Sequence, residues 1–127
     1  MTAMIKKLPD SEFEIMKAVW HSEEPVTSPM LTEKLRLELP EKDWKQQTVL
    51  TMLVRLEGKG FLRSDKAGKE RNYYAVVSES EYLQVEAESF RKRFSGGRIG
   101  SLVKALYDDN DLSDEDINEL KDWVNKL

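Results

Sequence analysis

Residues 42–71 concentrate side chains that can bind a polyanion. This stretch has eight basic and four acidic residues, although the whole chain of 127 residues has a formal net charge of -4. The acidity lies mostly in residues 78–127, with 7 basic and 12 acidic residues. Because Lys and Arg neutralise nucleic acid phosphates, this distribution predicts that residues 42–71 form an electrostatic footprint for DNA.

A helix through this stretch would present polar side chains on one side. At about 100° per residue, the polar residues fall in one strip, away from an apolar face. Gln can pair with adenine, Arg with guanine, and Thr with the thymine methyl group or a phosphate. The strip consists of Thr48, Thr51, Arg55 and Lys59, with Lys45, Gln46 and Gln47 near its start.

A predicted hairpin adds cations that follow this helix in the sequence. They surround Gly68 and can reach phosphate or the minor groove. Two other interpretations stay open: an ordinary solvated helix face, and a winged-helix module that binds an acidic protein partner. Helix and hairpin together favour double-stranded DNA. The predicted DNA-binding residues are Lys45, Gln46, Gln47, Thr48, Thr51, Arg55, Lys59, Lys66, Lys69 and Arg71.

Two helices should precede this site. We expect the first over residues 11–21, capped by Asp10. Ser28 followed by Pro29 is typical of an N-cap with proline at the first helical position, so a second helix should begin there. Residues 25–27 can add one edge strand.

The third helix and the hairpin complete the predicted domain. We expect the helix over residues 45–59, ended by Gly60 in a left-handed conformation. Residues 61–66 and 70–77 are rich in aromatic and β-branched residues, as strands of a hairpin would be. The order of three helices and a hairpin predicts a mainly α fold with a winged helix-turn-helix.

The remaining residues should form short amphipathic helices. Ser78 with Glu81, and Ser113 with Asp116, have the spacing of capping boxes. About 50 residues of such helices cannot bury their apolar faces alone, so we expect a homodimer. The predicted domains are residues 1–77, which bind DNA, and residues 78–127, which dimerise. The predicted dimer interface is Phe90, Phe94, Ile99, Leu102, Val103, Leu106, Ile117, Leu120, Trp123 and Val124.

The sequence also lacks features that other protein classes need. Without Cys the chain cannot form a disulfide or a thiolate metal site. It has no Gly-x-Ser-x-Gly, Walker or His-Glu-x-x-His motif, so we expect neither an enzyme nor a cofactor or metal. It has no apolar run of about 18 residues, so we expect a cytoplasmic protein without membrane association.

The order of several short motifs resembles that of a known family. The motifs are residues 11–20, 44–48, 51–53, 55–56, 59–60, 73–74, 89–90, 93–94 and 112–120. On these motifs the chain is similar to the BlaI/MecI/CopY family of penicillinase and copper-transport repressors, over nearly its whole length. The resemblance implies a winged-helix dimer on a palindromic operator, with base contacts from Gln47, Thr48, Thr51 and Arg55.

The resemblance also bears on induction. In the penicillinase branch, the protease activity of a membrane sensor leads to cleavage of the repressor in its dimerisation region. The matching bond lies between Ala105 and Leu106, where the family pattern is Asn-Phe, so the sequence leaves open whether a sensor protease acts here. The copper branch senses metal through C-terminal cysteine pairs, which this chain lacks, so that route is excluded.

Overall fold

The computed structural model describes residues 5–94 and 98–127. Within these ranges it has six helices and one antiparallel pair of strands. The elements are α1 (Asp10–Trp20), α2 (Ser28–Glu38), α3 (Gln46–Gly58), β1 (Leu62–Ala67), β2 (Glu70–Ala75), α4 (Glu79–Arg93), α5 (Ile99–Asp108) and α6 (Asp114–Asn125). The chain forms two compact units, Met1–Glu88 and Ser89–Leu127. None of the described helices is long and apolar enough to cross a membrane.

The first unit has its core where α1, α2, α3 and the strands pack on one another. The apolar residues of each helix recur every three or four positions, so one face of each helix is buried. The predicted mainly α fold with a hairpin is confirmed. Fully buried side chains of the core include Ile15, Met16, Val19, Leu31, Leu35, Val49, Leu53, Leu56 and Tyr73.

The starts of α1 and α2 differ from the prediction by one residue. Asp10 does not cap α1: it is the first helical residue, Pro9 holds the N-cap position, and no side chain bonds the helix start. The N-cap of α2 is Thr27, not Ser28, and its hydroxyl accepts the Met30 N–H at 3.4 Å. Either hydroxyl residue can cap a helix, so the sequence alone could not decide between them.

The predicted glycine end of α3 is confirmed. Gly60 has a φ of +84°, which glycine adopts without a Cβ penalty. The Gly60 N–H donates to the Glu57 carbonyl at 3.0 Å, and the Phe61 N–H donates to the Leu56 carbonyl at 2.9 Å. This pair of bonds is a Schellman motif, which ends the helix and turns the chain into β1.

The hairpin also forms as predicted, with Gly68 at a φ of +71° in the turn between β1 and β2. The edge strand expected over residues 25–27 is reduced to a single bridge. Val26 exchanges two backbone hydrogen bonds with Tyr73, at 3.1 and 2.8 Å. The pairing does not extend beyond Val26, because Pro25 has no N–H to donate and Thr27 already caps α2.

Tyr82 holds the start of α4 in the core of the first unit. The predicted capping box between Ser78 and Glu81 forms, with bonds of 3.0 and 3.1 Å. One turn later, the Tyr82 hydroxyl accepts the Leu8 N–H at 2.7 Å and donates to Glu86 at 2.6 Å. Its ring, which is 0% exposed, packs against three aromatic side chains. These are Phe13, Trp20 and Phe61, with ring centroids 5.5 to 5.8 Å away.

The second unit contains α5 and α6. Its predicted capping box forms: the Ser113 hydroxyl accepts the Asp116 N–H at 3.1 Å, and the Asp116 carboxylate accepts the Ser113 N–H at 3.3 Å. No residue of α5 or α6 is buried in the single chain.

Candidate nucleic-acid interface

Helix α3 separates an apolar inner face from a polar outer one. Val49, Leu53 and Leu56 are 0% exposed and fix the inward direction. On the outer side, all the predicted residues are exposed except Thr51, which is half-buried and donates its hydroxyl proton to the Gln47 carbonyl at 2.9 Å. The exposed members are Lys45, Gln46, Gln47, Thr48, Arg55 and Lys59. We call the residues Gln47, Thr48, Thr51 and Arg55 the outer face of α3.

Polar side chains of the outer face, and that of the neighbouring Gln46, are available to a ligand. Among the described residues, the Arg55 guanidinium and the Gln46 and Gln47 amides have no hydrogen-bond or ion-pair partner. These groups can donate to or accept from base edges without first breaking an internal bond.

The start of α3 favours an anion. Its N-cap is Lys45, no side chain caps it, and its first turn has no acidic residue. The Lys45 ammonium lies 3.9 Å from Asp43, but both side chains are at least 72% exposed, so the pair is weak. The Arg36 Nε–H donates to the Trp44 carbonyl at 2.8 Å and so holds the residue just before the N-cap. The N–H groups and dipole at this end would attract a phosphate.

Three exposed cations lie around the turn of the hairpin; we call Lys66, Lys69 and Arg71 the wing tip. Lys66 and Arg71 lie directly opposite each other on β1 and β2. Like charges at facing positions of an antiparallel pair destabilise the strands. Among the described residues neither Lys66 nor Lys69 has an ion pair. The wing tip thus carries a repulsion that a bound polyanion would relieve.

A hydrogen-bond chain connects the wing tip to the end of α3. The Arg71 Nε–H donates to the Ser64 hydroxyl at 3.1 Å, which in turn donates to the Glu57 carboxylate at 2.8 Å. The hairpin and α3 therefore have a defined mutual position. Tyr73 is 1% exposed; its burial, with the nearby Glu57 charge as the second cause, raises the pKa of its hydroxyl.

Lys59 differs from the other predicted DNA-binding residues. Its ammonium donates to the Glu12 carboxylate at 2.5 Å, and the Glu12 side chain is only 7% exposed. The pair connects the end of α3 to α1. Removing the Lys59 ammonium would leave a buried carboxylate without its counter-charge, which is costly.

Sequence reasoning did not find Glu12, Glu57 or Ser64 as residues that position the site. Glu12 is separated from its partner Lys59 by 47 positions in the sequence, and Glu57 from Ser64 by 7. No local pattern predicts such pairs, because they depend on which elements pack together.

The residues of the predicted dimer interface all lie in the second unit: Phe90 near the end of α4, Phe94 just after it, and the others in α5 and α6. Phe90 and Phe94 are half-buried, with ring centroids 4.6 Å apart. Along α5 and α6, apolar side chains line two adjoining grooves of about 380 and 640 Å³. Trp123 is 60% exposed and Val124 54% exposed. Ala105 and Leu106 both lie within α5 and are exposed.

Comparisons with known proteins agree with this architecture. The sequence model of the family described as "Penicillinase repressor" matches residues 8–126. The chain belongs to the penicillinase repressor family. It is 35% identical over 119 residues to the penicillinase repressor of Bacillus licheniformis, covering 91% of this chain and 90% of that protein. It is 29% identical over 120 residues to the methicillin resistance regulatory protein MecI of Staphylococcus aureus, covering 94% of each.

A solved structure matches the winged helix. The alignment with the solution structure of the DNA-binding domain of the repressor BlaI covers 64% of this chain and 94% of the BlaI chain. The sequence identity is 30% and the TM-score is 0.52. The predicted family, the winged-helix fold and the function of a DNA-binding transcriptional repressor are confirmed.

Proposed function

We propose that this repressor binds a palindromic operator as a homodimer, with the outer face of α3 on base edges and the wing tip on phosphates. The observation that carries the proposal is the exposed Arg55 guanidinium, which has no partner among the residues that the structure describes, on a helix that is bonded to a cationic hairpin. In winged helix-turn-helix proteins such a helix enters the major groove. Operator DNA of a bacterial repressor lies in the cytoplasm, which is where we place the protein.

Two substitutions separate base reading from phosphate binding. Arg55→Ala should weaken operator binding by about 1 to 3 kcal/mol and relax the preference at one base pair, if the guanidinium reads a guanine. Lys69→Ala should weaken binding to all sequences alike and reduce the salt slope by about one. Lys17→Ala, which removes an exposed cation of α1, is the control.

Fluorescence anisotropy with a duplex selected from genomic DNA, and with a random duplex, measures both effects over a salt titration. Wild-type affinity for the random duplex that does not fall with salt would favour a protein-interaction module instead. Unchanged binding by both Arg55→Ala and Lys69→Ala would refute the assigned surface.

We expect Lys59 to stabilise the packing of α3 on α1 and not to bind phosphate, because its ammonium is already paired with Glu12. Lys59→Met should lower the free energy of unfolding and leave the salt slope of DNA binding as in the wild type. A salt slope reduced by about one, as for Lys69→Ala, would instead make Lys59 a phosphate contact.

The homodimer part of the proposal rests on the apolar side chains of α5 and α6. None of them is buried in the single chain, and the two grooves share Val103, Leu112 and Leu120. A contiguous apolar surface of this kind marks an interaction site. A second copy would cover it and would tether two DNA-binding domains, so that the second half-site binds at a high effective concentration.

Trp123→Ala in the full chain tests the dimer. A tryptophan at the centre of an interface is often worth about 2 kcal/mol or more, so the dimer dissociation constant should rise about thirtyfold. Leu37→Ala on α2, which removes a side chain that is 77% exposed, is the control. Sedimentation equilibrium measures both variants. A dissociation constant equal to that of the wild type would exclude Trp123 from the interface, and a monomeric wild type would refute the dimer.

Cleavage between Ala105 and Leu106 by a sensor-dependent protease is a separate proposal that rests on the family resemblance. Both residues are exposed, but the bond lies within α5, so a protease that binds extended chains would need local unwinding. The intact mass of the repressor before and after induction tests it. Cleavage at any other bond, or a mass that does not change while repression ends, would refute it.

A further inference from the structure

Helix α3 presents one apolar side chain among the polar groups of its outer side. Val54 is 57% exposed, and it is the one large hydrophobic residue of this helix that is exposed. At about 100° per residue, Val54 points about 45° from the direction opposite to the buried face. Arg55 points about 55° from that direction, on the other flank. Both side chains therefore project outward to a similar degree.

Folding does not account for a valine at this position. A β-branched residue is a weaker helix former than Ala, because the helix restricts its χ1 rotamer. Its exposed methyl groups gain little from burial. A single exposed apolar residue is common on protein surfaces. Here its neighbours one turn back are Leu50, which is half-buried, and Thr51 of the outer face.

We propose that Val54 reads the methyl group of a thymine in the major groove and so determines sequence specificity. The inference rests on the proposed function, since it requires α3 to lie in that groove. The groove presents one apolar group, the C5-methyl of thymine, and proteins contact it with apolar side chains. Arg55 on one flank would read a guanine while Val54 on the other reads a thymine.

The test removes the methyl groups from each side of the contact in turn. The duplex isolated by genomic selection is synthesised with each thymine of a half-site replaced, one at a time, by uracil, which lacks only that methyl group. At one position, wild-type affinity should fall about fourfold, the value expected for one buried methyl-sized group. Val54→Ala should lose about as much with the unmodified duplex, and should lose nothing more when that thymine becomes uracil.

Matched variants control for nonspecific effects. Val76→Ala makes the same chemical change at a residue that is 55% exposed and lies outside α3, and it should bind like the wild type at every uracil position. Val54→Ile keeps the apolar group and should keep the sensitivity to uracil. Circular dichroism checks that each variant keeps its helix content. We expect Val54→Ala to keep it, because Ala is a better helix former than Val.

The outcomes separate this inference from the proposed function. If the wild type binds the selected duplex with the expected salt dependence, but Val54→Ala has the same uracil profile, the role of Val54 is overturned and operator binding stands. Selected half-sites that share no thymine overturn it as well. If the wild type shows no salt-dependent binding to any duplex, both proposals fall.

Discussion

The hydroxyl of Tyr82 is a polar group whose removal should weaken the first unit. It accepts a hydrogen bond from the buried Leu8 N–H at 2.7 Å and donates one to Glu86 at 2.6 Å. Tyr82→Phe deletes both bonds but keeps the ring against Trp20 and its other aromatic neighbours. No large cavity forms, so the cost is almost entirely polar.

The magnitude follows from what each partner can do afterwards. The Leu8 N–H stays buried without an acceptor, which costs about 1 to 3 kcal/mol. The Glu86 side chain is 28% exposed and can regain water, so its loss is smaller. We expect the free energy of unfolding to fall by about 1 to 3 kcal/mol. For a unit of about 90 residues, each kcal/mol lowers the melting temperature by roughly 4 to 8 °C.

Urea denaturation followed by circular dichroism and tryptophan fluorescence measures this change. The midpoint should move while the m-value stays constant, since the variant buries nearly the same surface. Tyr74→Phe, which deletes a hydroxyl that has no hydrogen-bond partner among the described residues, should leave the midpoint unchanged. A Tyr82→Phe midpoint within error of the wild type would mean that the Leu8 N–H finds another partner, and the reasoning would be wrong.

Three further predictions concern pH and backbone propensity. Burial raises the pKa of Tyr82 to about 12 and also raises the pKa of Tyr73, so their contribution to stability is full below pH of about 10 and should be lost as the pH rises towards 12. In a series of urea midpoints measured at increasing pH, Tyr82→Phe should lose less stability than the wild type, and equal losses would contradict this. The hydrogen bond from the Ser78 N–H lowers the pKa of Glu81, so the contribution of Glu81 to stability is present above pH of about 4.5 and is lost as the pH falls through the pKa of the folded state. In the same urea series at acid pH, Glu81→Gln should lose less stability than the wild type, and an equal loss would count against the capping box. Gly58→Ala should raise the free energy of unfolding by about 0.5 to 1 kcal/mol, because a Cβ there meets no atom within 4 Å and Ala is the better helix former. A melting temperature below that of the wild type would contradict this prediction.

Local features of this fold could be predicted from the sequence. The three-to-four spacing of Val49, Leu53 and Leu56 fixes which side of α3 is buried, whatever the helix packs against. Gly60 and Gly68 both have the positive φ that their positions required. The capping boxes at Ser78 and Ser113 also form. Each of these depends on residues within about two helical turns of each other.

The start of α2 shows where local reasoning ended. Thr27 and Ser28 are both competent caps, and Ser28 before Pro29 was the expected choice. The backbone bridge between Val26 and Tyr73 keeps residue 26 extended, so Thr27 is in position to cap. A contact with a residue 47 positions later therefore decided a helix boundary.

By itself, the sequence determined the elements, their order, the side of α3 that faces outward and the family to which the chain belongs. These follow from periodicity, turn residues and motif order, which act within short segments. Only the tertiary structure decided how the site is supported. The Lys59–Glu12 pair, the chain from Arg71 through Ser64 to Glu57, and the burial of Tyr82 all join elements that are brought together by core packing. The physical reason is that such contacts have their energy only when both partners are held in place, which no segment of the sequence can ensure alone.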